Sequence, residues 1–450
     1  MAESNFSLQK TLTMLLDEKK YHSLRDILST MNPADIAAIF DDLDQARLPL
    51  LFRLLPKELA AETFVEMEPE AQELLIQGFS DSELKEVIDE LYVDDAVDIV
   101  EEMPAGVVKR ILKHADPDTR KSINEILKYP EDSAGSIMNM EFLSLKKDMT
   151  VEDAFKRIRR IGGELETINI LYVTDPTRHL QGVLSVRDLL LADEDDRIED
   201  IMDPNVVSVM TLDDKEDVAQ AMSKYDYLAM PVVDQENRLI GIVTVDDAMD
   251  VMVDEATEDI TKMAAINPSE KTYFETSVLQ HAKNRIPWLL ILMFTSIITG
   301  TIITRYENAF AAIPLLVSFI PMLMDTGGNC GSQSATLIIR GIALDEIHFK
   351  DLFKVVFKEF RISLIVGAAL SIVNGLRILI QYRNPSLALV IAFSLIGTVI
   401  MAKMVGCMLP LLAKKVHLDP AIMASPLITT LVDTFSILIY FNIATLLFKL

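Results

Sequence analysis

Asp433 stands 13 residues into 420–448, a run with no other charge. At the helical rise that places it ~20 Å along a span. An ionised carboxylate at a helix centre costs at least ~2.5 kcal/mol unless it is paired or wetted. Ser425, Thr429 and Ser436 fall near one face with it, at three- to four-residue spacing. Carboxylate, hydroxyl and water form a hard-oxygen set. Mg²⁺ prefers oxygen ligands, demands octahedral geometry and keeps most of its water. Asp433 therefore reads as a pore-facing acid. Two further charges, Asp325 and Lys403, lie inside apolar runs. They could pair between helices, or serve as proton sites in a coupled transporter. Asp325 opens the run DTGGNCGSQ, 325–333. Its glycines either break the helix where it lines a cavity or let two helices approach closely. In the first case Gly328 and Asn329 would offer carbonyl and amide oxygens to a pore.

A second group of carboxylates lies in the other half. Asp246, Asp247, Asp250, Asp254, Glu255, Glu258 and Asp259 crowd one predicted helix, with like charges at i,i+3 and i,i+4 that repel. Asp94, Asp95 and Asp98 cluster similarly, as do Asp213, Asp214, Glu216 and Asp217. A charge run is commonly just a solvated face, but the excess here is large. Residues 1–280 carry a net −32 and residues 281–450 a net +6. A domain so charged repels itself unless cations screen or bridge it. The same charge argues against nucleic-acid binding, which needs a basic face.

These carboxylates must be positioned by two kinds of structure. Apolar runs at 286–304, 308–339, 362–380, 385–413 and 420–448 each reach or exceed the ~20 residues a membrane helix needs. No secretory signal is visible at Met1 to Lys20. With the acidic half inside, five spans put the C-terminus outside. Nine basic residues, Lys350, Lys354, Lys358 and Arg361 among them, then flank the inner ends, and four the outer. That follows the positive-inside bias.

The segment 137–262 contains a repeat. Ile137-Met138 precedes Gly182-Val183-Leu184-Ser185-Val186-Arg187-Asp188, and Ile201-Met202 precedes Gly241-Ile242-Val243-Thr244-Val245-Asp246-Asp247. Each Gly-led run reads as a strand feeding a helix capped by Ser185 or Thr244. Runs 168–173 and 230–233 read as further strands. The pattern resembles the tandem cystathionine-β-synthase-type (CBS) pair, a regulatory module that often binds adenine nucleotides. The resemblance implies that Ser185 with Asp188, or Thr244 with Asp247, holds a ribose, with Tyr172, Arg187 and Tyr227 as helpers. Residues 1–130 read as a stacked array of short helices, started by Asn32-Pro33, Glu68-Pro69 and Asp116-Pro117. The six histidines form no metal-ligand spacing and no activated nucleophile pattern appears, so no enzyme is expected. Cys330 and Cys407 read as packing residues.

Together, the acidic helical array, the tandem pair and five spans carrying Gly327-Gly328-Asn329-Cys330-Gly331-Ser332-Gln333-Ser334-Ala335-Thr336 and Ser425-Pro426…Asp433 resemble the MgtE family of magnesium channels and transporters. The resemblance implies a mixed fold: an acidic α-helical superhelical domain at 1–130, an α+β CBS pair at 131–262, a connecting helix at about 251–283 and an all-α five-helix membrane domain at 284–450. It implies a homodimer in the cell inner membrane, with a pore between subunits at Asp433 and Ser425 and Thr429 beside it. Relatives often carry Asn where this chain has the shorter Ser425. Cytosolic Mg²⁺ would bridge acidic positions matching Asp94, Asp98, Asp214, Glu216, Asp226, Asp247, Asp250, Glu255, Glu258 and Asp259, holding the pore shut. Asp419, at the mouth of the last span, is a further ion contact, and ATP a regulatory ligand. A proton-coupled divalent-cation transporter and a membrane-tethered nucleotide sensor are the alternative readings.

Overall fold

The computed structural model describes residues 2–41, 43, 46–269, 273, 274, 276–307, 313–423 and 425–448. It divides between Met252 and Val253 into two compact units.

The first unit begins with a run of short helices from Ala2–Asp17 to Pro117–Ile126. Pro33, Pro69 and Pro117 each open one, at Pro33–Asp41, Pro69–Gly78 and Pro117–Ile126. Proline fits there because its missing N–H is one the first turn cannot use. Asp116 caps its helix by accepting from the N–H groups of Asp118 and Thr119. One helix, Val93–Glu102, feeds two cores from one apolar face. Ile99 and Val100 join the core of the helical array, while Val93, Ala96 and Val97 join a core built with the repeat segment. Its acidic positions, Asp94, Asp95, Asp98, Glu101 and Glu102, fall on the opposite arc of the helix.

The repeat forms two three-stranded sheets. Ser144–Leu145, Ile170–Thr174 and Leu180–Ser185 make one, and Val209–Met210, Ala229–Val233 and Leu239–Thr244 the other. In each, the first pairing is parallel and the second antiparallel. The two copies are interlocked. A Cβ on Gly182 would meet Met202 Sδ at 2.6 Å, and one on Gly241 would meet Met138 Sδ at 2.8 Å. Each Ile-Met pair thus packs on the glycine of the strand that precedes or follows in the other copy. The glycines are there for this close approach.

The long acidic helix spans Val245–Met263, shorter than the 251–283 connecting helix expected. The chain turns at Ala265, whose φ is +56°, and Pro268 follows at a place where a continuing helix would need its N–H. A new helix starts at Val278, capped by Ser277.

Among the described residues, the second unit holds five long helices: Val278–Arg305, Ile320–Ala343, Leu352–Tyr382, Pro385–Lys415 and Ser425–Phe448. Residues 308–312 of the expected second span lie outside the described residues, and Pro314–Phe319 is a 3₁₀ turn ahead of the helix. Four segments are long and apolar enough to cross a membrane; the second helix is not among them. The second helix is unbroken through its glycines, none of which has a positive φ. A break at 327–331 is therefore corrected to a packing seam. A Cβ on Gly327 would crowd Thr398, Val432 and Ser436 at 2.8–2.9 Å. One on Gly331 would come within 2.7 Å of Ile428, and one on Gly406 of the fourth helix would collide with the Gly331 carbonyl. Glycine lets these backbones touch.

Candidate ion path and acidic cluster

The second helix carries two faces. Gly327, Gly328, Gly331 and Ala335 are buried against its neighbours. Asp325, Asn329, Gln333 and Thr336, at intervals of four, four and three residues, face outward. One side of this helix is thus a polar strip within an apolar domain, which explains why it fails as a simple lipid-facing span. Asp433, half-buried on the fifth helix, lies close enough to Asp325 for the two charges to repel. Gly328, expected to lend a carbonyl to a pore, instead packs on the methyl of Thr429 at 2.9 Å from where a Cβ would stand. Thr429 Oγ1 donates to the Pro426 carbonyl at 2.9 Å. Ser436 is buried in the seam and does not share the outward strip. Ser425 opens the fifth helix, and its side chain lies outside the described ones.

Lys403 is not paired with Asp325. Its Nζ lies 3.4 Å from Glu359 Oε2 and donates to Ser334 Oγ at 3.1 Å. Ser334 in turn donates to Glu359 at 2.7 Å. All three are buried. The group joins the second, third and fourth helices. Glu359 escaped the sequence reading because it stands among Lys354, Lys358 and Arg361, where it looks like one more flank charge. Its i+4 spacing from Val355, also buried, was the available signal.

Asp419 is also engaged. Lys262 Nζ reaches both Asp419 Oδ2 and Glu258 Oε1 at 2.7 Å. Burial alone would lower the Lys262 pKa, but its hydrogen bonds to the Asp419 and Glu258 carboxylates outweigh it and raise it. Asp259 is raised by lost solvent and by Asp419. A lysine ammonium thus supplies the positive charge that these acids attract.

In the first unit the helix Val93–Glu102 and the start of Val245–Met263 bring acids from two parts of the chain together. Asp94, largely buried, accepts from Asn139 Nδ2 at 3.0 Å on both oxygens. Asn139 was not foreseen; it follows Ile137-Met138 and comes with the strand-glycine interlock. Asp94 is pushed up to about 7 by burial and by Asp95. Asp95 rises to about 7 by burial and by Asp247 and Asp246, and Asp98, which keeps an exposed edge, is raised by partial loss of solvent and by Asp94 and Asp247. Asp247 rises to about 7 by burial and by Asp94, although Thr244 donates to it. Glu166, unremarked in the sequence, rises to about 8 by burial and by Asp94 and Asp95. Among the described residues no three such groups converge tightly enough to ligate one ion directly.

The other acidic positions are not gathered with these. Asp214 caps the helix Lys215–Tyr225 by accepting from Glu216 N, and Asp226 closes it in a left-handed conformation. Asp214 and Asp226 are therefore about 18 Å apart at the helical rise. Glu216 accepts from Gln220 at 2.9 Å. Asp250 and Glu255 lie further along Val245–Met263.

The two strand-to-helix motifs differ in surroundings. Ser185 and Asp188 form a reciprocal capping box, with Ser185 Oγ 2.6 Å from Asp188, and Arg187 is exposed beside them. The hydrogen bonds from Ser185 hold the Asp188 carboxyl below its usual range. Thr244 and Asp247 belong instead to the acidic cluster. Tyr172 is a core residue, packed edge-on to Phe142, and its hydroxyl is buried with no partner among the described residues. Burial raises its pKa, with a further push from Tyr227.

Comparison with known proteins decides the family. The model described as "Divalent cation transporter" matches residues 320–443, the "MgtE intracellular N domain" matches 31–132, and CBS domains match 134–195 and 198–254. The magnesium transporter MgtE of Thermus thermophilus is 38% identical over 98% of this chain and 99% of its own length. The chain belongs to the MgtE family of magnesium transporters. The Bacillus subtilis MgtE is 35% identical, with 96% of each chain covered. Among solved structures, the cytosolic domain of the Mg²⁺ channel MgtE in complex with ATP aligns with a TM-score of 0.52 and 38% identity, over 54% of this chain and 99% of that one. The soluble part of a magnesium transporter aligns at 0.53 and 33%, over 57% and 100%. A helical N-terminal domain, a CBS pair and a helical membrane domain are thus common to this chain and the MgtE family.

Proposed function

We propose that this MgtE-family chain works as a homodimer that conducts hydrated Mg²⁺ into the cytosol past Asp433, and that Mg²⁺ bound to its acidic half closes it. The observation that carries the proposal is the outward polar strip Asp325–Asn329–Gln333 beside Asp433. Such a surface is costly against lipid, so it calls for water and a second copy across from it. Two facing carboxylates attract a divalent ion, and their amide and hydroxyl neighbours suit its water shell. An inside-negative potential drives a divalent cation inward at ~4.6 kcal/mol per 100 mV. In this reading the acidic half lies in the cytosol and the C-terminus outside, in a cell inner membrane.

Regulation rests on the cluster of Asp94, Asp95, Asp98, Asp247 and Glu166. Five acids with raised pKa values make an unstable, proton-hungry patch. A hydrated divalent ion bridges carboxylates through its waters and needs no three of them in direct contact. When it binds, the two segments are held together; when cytosolic Mg²⁺ falls, their repulsion separates them. Asp250, Glu255, Glu258 and Asp259 follow in sequence on the helix Val245–Met263, and Asp419 shares Lys262 with Glu258. Asp214, Glu216 and Asp226 belong to it only if they act at separate sites. ATP fits the Ser185–Arg187–Asp188 motif rather than Thr244–Asp247. The first offers an exposed guanidinium, and the second a set of acids that repels phosphate. The orphaned Tyr172 hydroxyl is a polar group a ligand near the sheets would satisfy.

The test is Mg²⁺ entry into proteoliposomes holding the parent or Asp433→Ala, at low and high Mg²⁺ on the side of the acidic half. Entry that needs Asp433 and falls at high Mg²⁺ is the expected result. Entry indifferent to Asp433 would sink the path; entry indifferent to Mg²⁺ on that side would sink the regulation.

A further inference from the structure

The third long helix, Leu352–Tyr382, has 31 residues, about 46 Å at 1.5 Å per residue. A ~30 Å hydrocarbon core takes about 20 of them. The apolar stretch 362–380 fills that core, so the ten residues from Leu352 to Arg361 extend past it. They lie at the end of the helix on the side where the first long helix also begins, since one span crosses over and the next returns.

This extension is neither plain membrane helix nor plain solvated helix. Phe353, Phe357, Phe360 and Leu364 recur at four, three and four residues, and all are exposed, Phe353 at 85%. Lys354, Lys358 and Arg361 recur at four and three, each one residue after a phenylalanine, and are exposed as well. One residue is ~100° of helix turn, so an aromatic stripe and a basic stripe run side by side. The opposite face, Val355 and Glu359, is buried, and Glu359 is neutralised by Lys403. The Arg361 guanidinium stands 5.9 Å from the centre of the Phe357 ring, and Lys415 stands 4.4 Å from that of Phe349 at the head of the helix. Lys354 holds Asp351 at 2.8 Å; Lys358 and Arg361 are exposed and form no ion pair among the described residues.

We infer that this stripe pair binds the headgroup of an anionic phospholipid. The line of the basic stripe continues into the span as Ile365, Ile372, Leu376 and Ile380, which are exposed along the same helix and meet acyl chains. The phenyl rings sit at the acyl–headgroup boundary, and the longer basic side chains reach from that depth to phosphate. Basic residues beside a membrane helix attract anionic lipid and have little reach beyond a Debye length. The charge stands against a chain that is −26 overall and belongs to its basic half, 281–450, at +6. A patch of lysine and arginine on so acidic a protein keeps one region of it close to an anionic surface. The inference concerns the bilayer contact and does not depend on which ion is carried.

Trp288 is the chain's one tryptophan. That allows a direct reading in the full-length protein carrying Trp288→Phe and Phe357→Trp, which puts the sole indole on the stripe. In mixed micelles, brominated phosphatidylglycerol is expected to quench it at a several-fold lower mole fraction than brominated phosphatidylcholine. Adding Lys358→Gln or Arg361→Gln lowers that preference part of the way, and both together with Lys354→Gln bring the ratio close to one. Equal quenching by the two lipids overturns the inference. So does absence of quenching by either, which means that a second copy or another protein covers the stripe. Loss of the preference on adding inorganic phosphate without lipid also overturns it, because the site then reads free phosphate. Should the tryptophan variant fail to fold, the parent protein answers the same question. Phosphatidylglycerol must raise its melting temperature more than phosphatidylcholine does, and the triple charge variant must lose that difference while melting as the parent does in phosphatidylcholine.

Discussion

At the residue scale, the second unit is organised by charges that cannot be left alone. Lys403 and Glu359 are buried within an apolar helix packing, and Ser334 bridges them. A buried pair adds little net stability relative to apolar residues, but a single survivor is expensive, about 3–5 kcal/mol. Lys403→Met or Glu359→Gln alone should therefore lower the melting temperature of the solubilised protein sharply. The double variant, which leaves no charge behind, should melt closer to the parent than either single one. If the two losses simply add, the residues do not act as a pair. The same logic distinguishes Asp433, which has no cationic partner among the described residues. A carboxylate at that depth without a lysine is a functional expense, and Asp433→Ala tests it through ion flux rather than stability. Lys262 shows a third use of charge. It is held by both Asp419 and Glu258, so a tethered cation occupies acids that a divalent ion would otherwise attract.

At the element scale, backbone contact between helices sets the geometry around Asp433. The second helix meets the fourth at Gly331 and Gly406, and meets the fifth at Gly327, Gly328 and Gly331 through Val432, Thr429 and Ile428. Asp325, Asn329 and Gln333 take their outward direction from this seam, since buried and exposed faces of one helix are fixed together. A methyl group at Gly406 would have to displace the Gly331 carbonyl, a backbone atom that cannot rotate away. Overpacking of this kind typically costs 1–3 kcal/mol. Gly406→Ala is thus expected to lower the melting temperature and cut Mg²⁺ entry together, whereas Gly300→Ala, with open space around it, leaves both near parental values. Equal behaviour of the two variants in melting and flux would mean that the seam does not position the polar strip.

At the scale of the whole molecule, pH and, on the proposed regulation, divalent ions are expected to act on one cluster in opposite senses. Asp94, Asp95, Asp98, Asp247 and Glu166 have folded-state values near 7 to 8, against about 4 in an unfolded chain. The folded state therefore holds more protons than the unfolded state between those limits. Stability contributed by these groups is full below pH 4 and is lost as pH rises through 7 to 8. Without divalent ions, the unfolding temperature of the N-terminal half should fall as pH goes from 5 to 8. Millimolar Mg²⁺ binds the ionised form, so it should flatten that fall and stabilise more at pH 8 than at pH 6. A melting profile that rises with pH in the ion-free protein would contradict the cluster's arrangement.

Much of this was legible before any coordinates. Composition separates an acidic half from an apolar one, because a membrane span excludes charge over some 20 residues whatever surrounds it. Proline at a helix start, Ser185 as a cap and the strand runs of the repeat are local preferences that act within a few residues. They appear where expected, at Pro33, Pro69, Pro117, Ser185, Ile170–Thr174 and Ala229–Val233. The resemblance carried by the Gly-Gly-Asn-Cys-Gly-Ser-Gln run and the last-helix acid identified the family that the comparisons bear out. What distance along the chain conceals was decided by packing. Lys403 finds Glu359 rather than Asp325, Met138 packs on Gly241 instead of its own repeat's glycine, and Asp94 meets Asp247 and Asn139. Asp214 and Asp226, close in composition, are set at opposite ends of one helix. Glycine allows both a break and a close approach. Only the neighbouring helices select between them, because the seam's contacts reward a straight helix and no local signal in 325–333 does.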